Sequence, residues 1–215
     1  MKKPTLYHPA EERLNTLSHL AGAVLALPGT ALLLYLALSG GTTPAVAVKV
    51  AAVLFYGMAL FAVFSSSSIY HFTTLPDRRA KLRVLDHCAI YFLITGTYAP
   101  IMLIGVGGAV GWGVFAFVAA CGIIGVTLKI WDIGRFNKTA VALALLMGWS
   151  CFAILGRLMT ALSGWALGWL ILGGVLYTVG VIFYLMRWRF SHAVWHGFVL
   201  AGAGCQYIAL CLMMQ

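Results

Sequence analysis

Charge is what this sequence lacks. Asp, Glu, Lys and Arg make up 9% of its 215 residues, where a soluble domain carries about 25%. Beside a 62% hydrophobic share, that scarcity excludes a water-soluble globular protein and implies an integral membrane protein. Acid is scarcer still, with five Asp and Glu against 14 Lys and Arg and a net charge of +9. Long polar connections are missing, as are internal repeats and low-complexity linkers, so no separate soluble domain is expected. The tail MKKPTLYHPAEERLN has no apolar stretch ending in a small-residue cleavage site, so no cleaved signal peptide is expected. The cysteines (Cys88, Cys121, Cys151, Cys205 and Cys211) form no CxxC pair. Apolar packing is a simpler role for them than disulfides or thiolate metal ligation.

Seven apolar runs fill most of the chain, at about 17–38, 45–68, 85–104, 110–131, 139–156, 165–186 and 192–213. Each approaches the ~20 residues that a membrane-spanning helix needs. Turn signals separate them, such as SGGTTP at 39–44, TTLPDRRAKLR at 73–83, GVGG at 105–108 and RLMTALSG at 157–164. Lipid offers the backbone no hydrogen-bond partners, so such runs must be helices. The expected architecture is all-α: a bundle of seven transmembrane helices, with residues 1–215 as one membrane domain.

The basic residues alternate between connections. Lys2, Lys3 and Arg13 precede the first run. Arg78, Arg79, Lys81 and Arg83 follow the second, Lys129, Arg135 and Lys138 follow the fourth, and Arg187 and Arg189 follow the sixth. Only Lys49 and Arg157 fall on the opposite side. By the positive-inside rule, the N-terminus is cytoplasmic and the C-terminus outside. The net charge is therefore a topology signal with some affinity for anionic headgroups, and no nucleic-acid partner is expected.

Topology then places the polar residues in depth. Glu11, Glu12, Asn15 and His19 sit at the start of the first span, and His71 ends the second. Asp86 opens the third, and His192 and His196 open the seventh. All lie at the cytoplasmic level, while the outer half has no histidine or acid. A single histidine at a helix end is ordinarily interfacial. His87 and His8 read that way, and Asp132 with Lys129 and Arg135 reads as a solvated loop.

His192 and His196 are different, because an i, i+4 pair lies about 40° apart on one face and about 6 Å apart along the axis. That spacing lets two imidazoles on one helix reach one metal. Ser67 and His71 repeat the spacing on the second helix, so the hydroxyl lies one turn before the imidazole. Three histidines (His71, His192 and His196) with one open position suit a catalytic zinc. Asp86 would then serve as the acid beside the zinc-bound water. Bis-histidine haem fits less well, because His192 and His196 share one face. A proton path through Asp86, His71 and His87 would need polar groups in the empty outer half.

The stretches EERLNTLSHLAGA, SSSSIYHF, LDHCAIYFLITGTYAPIML and HAVWHGFVLAG resemble the hemolysin III family. That family is the bacterial branch of the progestin and adiponectin receptor family. The resemblance implies that His71, His192 and His196 bind zinc, that Asp86 holds the metal's water, and that Ser67 stands beside the site. It places Glu12, Asn15 and His19 in a supporting first motif, either bracing the first helix or joining the chemistry. It further implies a bacterial inner-membrane protein of lipid homeostasis acting on fatty amide or acyl bonds, in the manner of a ceramidase. The alternatives are a non-catalytic lipid sensor with structural zinc and a hemolysin-like or ion-conducting protein.

Overall fold

The computed structural model describes residues 7–40, 44–135 and 137–215, so Lys2 and Lys3 of the basic tail lie outside the described residues. The described secondary structure is all helical. Helices α1 (Pro9–Ser39), α2 (Val46–Phe72) and α3 (Pro76–Pro100) are followed by a wide π turn at Ile101–Val106. Helices α4 (Gly108–Trp131) and α5 (Asn137–Trp149) come next, then a tight 3₁₀ segment at Ser150–Ile154. Helices α6 (Leu155–Ala161), α7 (Gly164–Leu185) and α8 (Ser191–Met213) complete the chain. Counting Pro76–Val106 and Asn137–Ala161 as single segments, seven are long and apolar enough to cross a membrane.

The helices run further toward the polar end than hydropathy implies. Helix α1 starts at Pro9, where the first-turn position tolerates the missing N–H. Its Glu11 and Glu12 lie in that first turn, where the helix dipole favours an acid. Helix α3 starts at Pro76, inside the stretch read as a turn from its charges. Asp86 therefore stands nearly three turns into α3 rather than at its opening. RLMTALSG is likewise mostly helix α6. Charged residues mark where a helix leaves the apolar layer, and a helix with other satisfied contacts continues past that point.

Helices α1, α2, α3 and α4 follow one another around the bundle, α5 links α4 to α7, and α8 lies between α7 and α1. Helix α3 is the most buried span. Its close approach to α2 depends on Gly96, where an added Cβ would come within 2.6 Å of the Ala59 Cβ. The reversal into α4 uses Gly107 at φ +64 and Gly108 at φ +59, conformations that carry a steric cost for other residues. Large apolar side chains such as Leu25, Ile123 and Trp165 are exposed around the outside, as lipid contact requires.

The fifth span is broken in its middle. The Tyr98 hydroxyl donates to the Met147 carbonyl at 2.7 Å and accepts from the Cys151 N–H at 3.0 Å. Tyr98 thus satisfies backbone groups that the switch from α to 3₁₀ geometry releases. The break faces an apolar cavity among α3, α5, α7 and α8. Its walls are overwhelmingly apolar, including Leu93, Ile94, Phe152 and Val199.

Candidate metal centre

Three histidines from two helices meet at one end of the bundle. His71 lies in the last turn of α2, and His192 and His196 lie in the first turns of α8. One ring nitrogen from each falls within 4.8 Å of the others, a set of donors able to hold a metal ion. The Nε2 atoms of His192 and His196 are 3.2 Å apart. The His71 ring centroid is 5.1 Å from that of His192 and 5.0 Å from that of His196. The chain turns sharply before α8, with Phe190 left-handed at φ 68. Such a conformation costs a bulky residue about 1–3 kcal/mol and persists only where neighbours enforce it. The His192 N–H, left unbonded at the start of the helix, donates to Glu11 Oε1 at 3.3 Å.

His71 is held from behind. Its Nδ1 lies 2.6 Å from Glu12 Oε2, and Asn15 Nδ2 is 3.4 Å from the same nitrogen. Glu12 fixes the tautomer with the proton on Nδ1, leaving the Nε2 lone pair available. His71 Nε2 is buried and has no hydrogen-bond partner among the described residues. Glu12 is held in turn by Arg79, whose guanidinium pairs with Oε1, and by the Tyr7 N–H at 3.0 Å. Arg79 is only 1% exposed. It also donates to the Tyr70 carbonyl at 3.1 Å and the Thr73 carbonyl at 2.9 Å, closing the end of α2, and it lies 4.5 Å above the Tyr70 ring. One cation therefore caps α2, neutralises Glu12 and, through Glu12, orients His71.

The remaining expected residues gather around this core. Ser67, one turn before His71, lies near the Asp86 carboxylate, which is within electrostatic reach of His71. Asn15 and His19 are buried on α1. His19 stacks on His196 with centroids 3.7 Å apart and planes 13° apart, and both its ring nitrogens lack hydrogen-bond partners among the described residues. Tyr7 stacks on His192 at 4.7 Å and 13°, covering the site from outside the helices. Burial raises its phenol well above the ordinary range, and nearby Tyr70 adds to the effect. The large apolar cavity begins about one turn beyond His196, at Val199 on α8, and about two turns before His71, at Val63 on α2.

A model of the family described as haemolysin-III related matches residues 7–207. The chain belongs to the haemolysin-III family. It is 35% identical over 201 residues to Hemolysin-3 of Bacillus cereus, covering 93% of this chain and 90% of that protein. It is 32% identical over 203 residues to the Hemolysin-3 homolog of Bacillus subtilis (strain 168), covering 93% and 92%. The likeness extends to the monocyte to macrophage differentiation factor of Homo sapiens, 31% identical over 221 residues and covering 97% and 85%. This haemolysin-III family member is a multi-pass membrane protein with a buried three-histidine cluster.

Three residues of this haemolysin-III member's site, Arg79, Glu11 and Tyr7, were given no role there by sequence reasoning. Arg79 reads as one of four basic residues in a loop, and nothing in the sequence separates it from exposed Arg78. Glu11 reads as a first-turn acid, although it binds the backbone at His192. Lys129, expected at the edge of a solvated loop, is buried at 4% exposure. Asp132 does lie in a turn, where the Arg135 and Gly134 N–H groups hold its carboxyl below the ordinary range.

Proposed function

We propose that this protein is a zinc-dependent hydrolase of lipid amide or acyl bonds, acting at the cytoplasmic face of a bacterial plasma membrane in lipid homeostasis. The observation that carries the reading is the His71 arrangement: Nδ1 held by Glu12, Nε2 buried, unpartnered and close to two further imidazoles. Zinc is favoured by the all-imidazole donor set. The spacing agrees, because two nitrogens bound tetrahedrally at about 2.0–2.1 Å lie roughly 3.3 Å apart, close to the 3.2 Å between His192 and His196. The cytoplasmic placement rests on the basic residues at the site end of the bundle. The bacterial location rests on the bacterial relatives. Residues 1–215 would act as one membrane domain.

Zinc, when bound by His71, His192 and His196, polarises a carbonyl and lowers the pKa of a bound water toward ~7. The chain supplies the rest. The acyl chain would lie in the apolar cavity, with its carbonyl extending past Val199 toward the histidines. Asp86 accepts a proton from the attacking water and delivers it to the departing nitrogen or oxygen. Ser67 holds the carboxylate of Asp86 in place. Glu12 and Arg79 keep His71 oriented, and His19 and Tyr7 keep bulk water from the imidazoles.

The test is turnover of a fluorescent N-acylsphingosine by the purified chain in nanodiscs, with metal content measured in parallel. His192→Ala should lose both metal and turnover. Asp86→Asn should keep the metal and lose turnover, so unchanged turnover in Asp86→Asn would remove it as the base. A second reading, zinc as a helix clamp in a lipid sensor, is favoured by one observation: the histidines bridge α2 and α8, which pack mainly on other helices. Under that reading chelation lowers the melting temperature, and no acyl bond is cleaved.

A further inference from the structure

The three clustered histidines are all buried, and different elements cover them on different sides. His19 of α1 stacks on His196. Glu12 and Asn15, also on α1, lie against His71 Nδ1. Tyr7 covers His192, with ring centroids 4.7 Å apart and planes 13° apart. The same ring lies 5.9 Å from that of His71, so it spans the gap between imidazoles from α2 and α8. Of these covering residues only Tyr7 lies outside a helix, two positions before α1 begins at Pro9.

The covers are therefore held differently. His19, Glu12 and Asn15 are carried by α1, which packs on α2 and α8, so moving them means moving a helix. Tyr7 is half-buried. It is held by the stack and by its N–H, which donates to Glu12 Oε1 at 3.0 Å. His8 beside it is exposed. The His8 ring accepts from the Ala10 N–H at 3.3 Å and lies 3.4 Å from Arg189 Nη2, in the connection before α8. A segment held at a few points near solvent opens locally at a much lower free energy than a packed helix. On the opposite side the cluster gives way to buried Val63, Phe64 and Val199. An ion or water coming that way would have to shed its hydration.

We propose that Tyr7 and His8 form a strap over the histidine cluster, and that its opening, hinged at the start of α1, admits polar solutes to the imidazoles. Those solutes are a metal ion, when the site is loaded or stripped, and the water that the chemistry consumes. The ion and water part rests on the proposed function; the cover itself does not. Tyr7 meets His192 ring face to ring face, away from the Nε2 edge that faces His196. Such a contact sets how fast an ion passes rather than how tightly it is held.

The full chain in phosphatidylcholine nanodiscs is loaded with zinc, and release to a chelating dye and uptake of fresh zinc are followed by stopped flow. Losing an aromatic stack of this kind predicts roughly tenfold faster release in Tyr7→Ala. Uptake should quicken by a similar factor, because an opening step common to both directions cancels in the affinity. Tyr7→Phe keeps the ring and should exchange zinc as wild type does. Unchanged release in Tyr7→Ala overturns the strap. Faster release with unchanged uptake also overturns it, since Tyr7 would then support the bound ion instead of covering the way in. A second measurement needs no metal. The chelator-stripped chain is labelled with diethyl pyrocarbonate, and the product at His192 is read by peptide mass spectrometry. Labelling of His192 should be roughly tenfold faster in Tyr7→Ala, with His87 unchanged. Equal labelling of His192 in the two chains overturns the cover. A wild-type chain that binds no zinc, while His192 labels faster in Tyr7→Ala, removes the metal reading and keeps the strap.

Discussion

The two ends of the bundle solve the same problem by opposite means. At the site end, a chain of polar contacts runs from Arg79 through Glu12 to His71, with Asn15, His19 and Asp86 beside it. At the far end, the chain carries no histidine or acid. Helices there are tied by contacts such as Lys49 Nζ to the Ala37 carbonyl at 2.9 Å and the Tyr207 hydroxyl to the Gly29 carbonyl at 2.9 Å. Close helix contacts are enough for stability in lipid. The polar end therefore has a purpose beyond holding the fold, since buried charges cost more to desolvate than an apolar core of the same shape. Its unpartnered imidazole nitrogens point the same way: a purely structural network would satisfy them.

The contrast can be broken most severely at Arg79. Arg79→Met leaves the partly buried Glu12 without its cation and uncaps α2. A loss of about 3–5 kcal/mol is expected from opening a buried pair, read as a lower unfolding midpoint in detergent. An unchanged midpoint would mean the network contributes nothing to the fold. A smaller effect is expected from Glu12→Gln, which keeps shape but weakens the hold on His71. Metal affinity should fall about 10–100-fold, as for other residues that orient a ligating histidine, in a competition titration with a chelating dye. The smallest effect belongs to the far end. Gln206 donates to the Leu170 carbonyl at 3.1 Å but leaves its own Oε1 buried and unpartnered. Gln206→Leu should stay within about 1 kcal/mol of wild type and keep its metal, because one weak bond is exchanged for removal of an orphaned acceptor. A loss as large as that of Arg79→Met would erase the distinction between the ends.

Much of the site was legible before any coordinates. The i, i+4 pair of His192 and His196 fixed their shared face, and the alternation of basic connections put His71 and Asp86 at the same depth. Proximity of Ser67 to His71 followed from one helical turn. Other relations were not legible, because they depend on which way each helix is rotated about its axis. Glu12 and His71 are 59 residues apart, and no local pattern says that they touch. The stacking of His19 on His196 and the burial of Lys129 are of the same kind.

By itself the sequence determined the number of spans and the end of the bundle at which the histidines and acids gather, because both follow from the length of apolar runs and the positions of polar residues along one dimension. Only the tertiary structure decided which of those groups meet. Arg78 and Arg79 have equal standing in the sequence, yet Arg79 is buried against Glu12 and Arg78 is exposed. Successive residues on a helix point about 100° apart, and the packing of α1 and α2 against α3 selects the direction that faces inward.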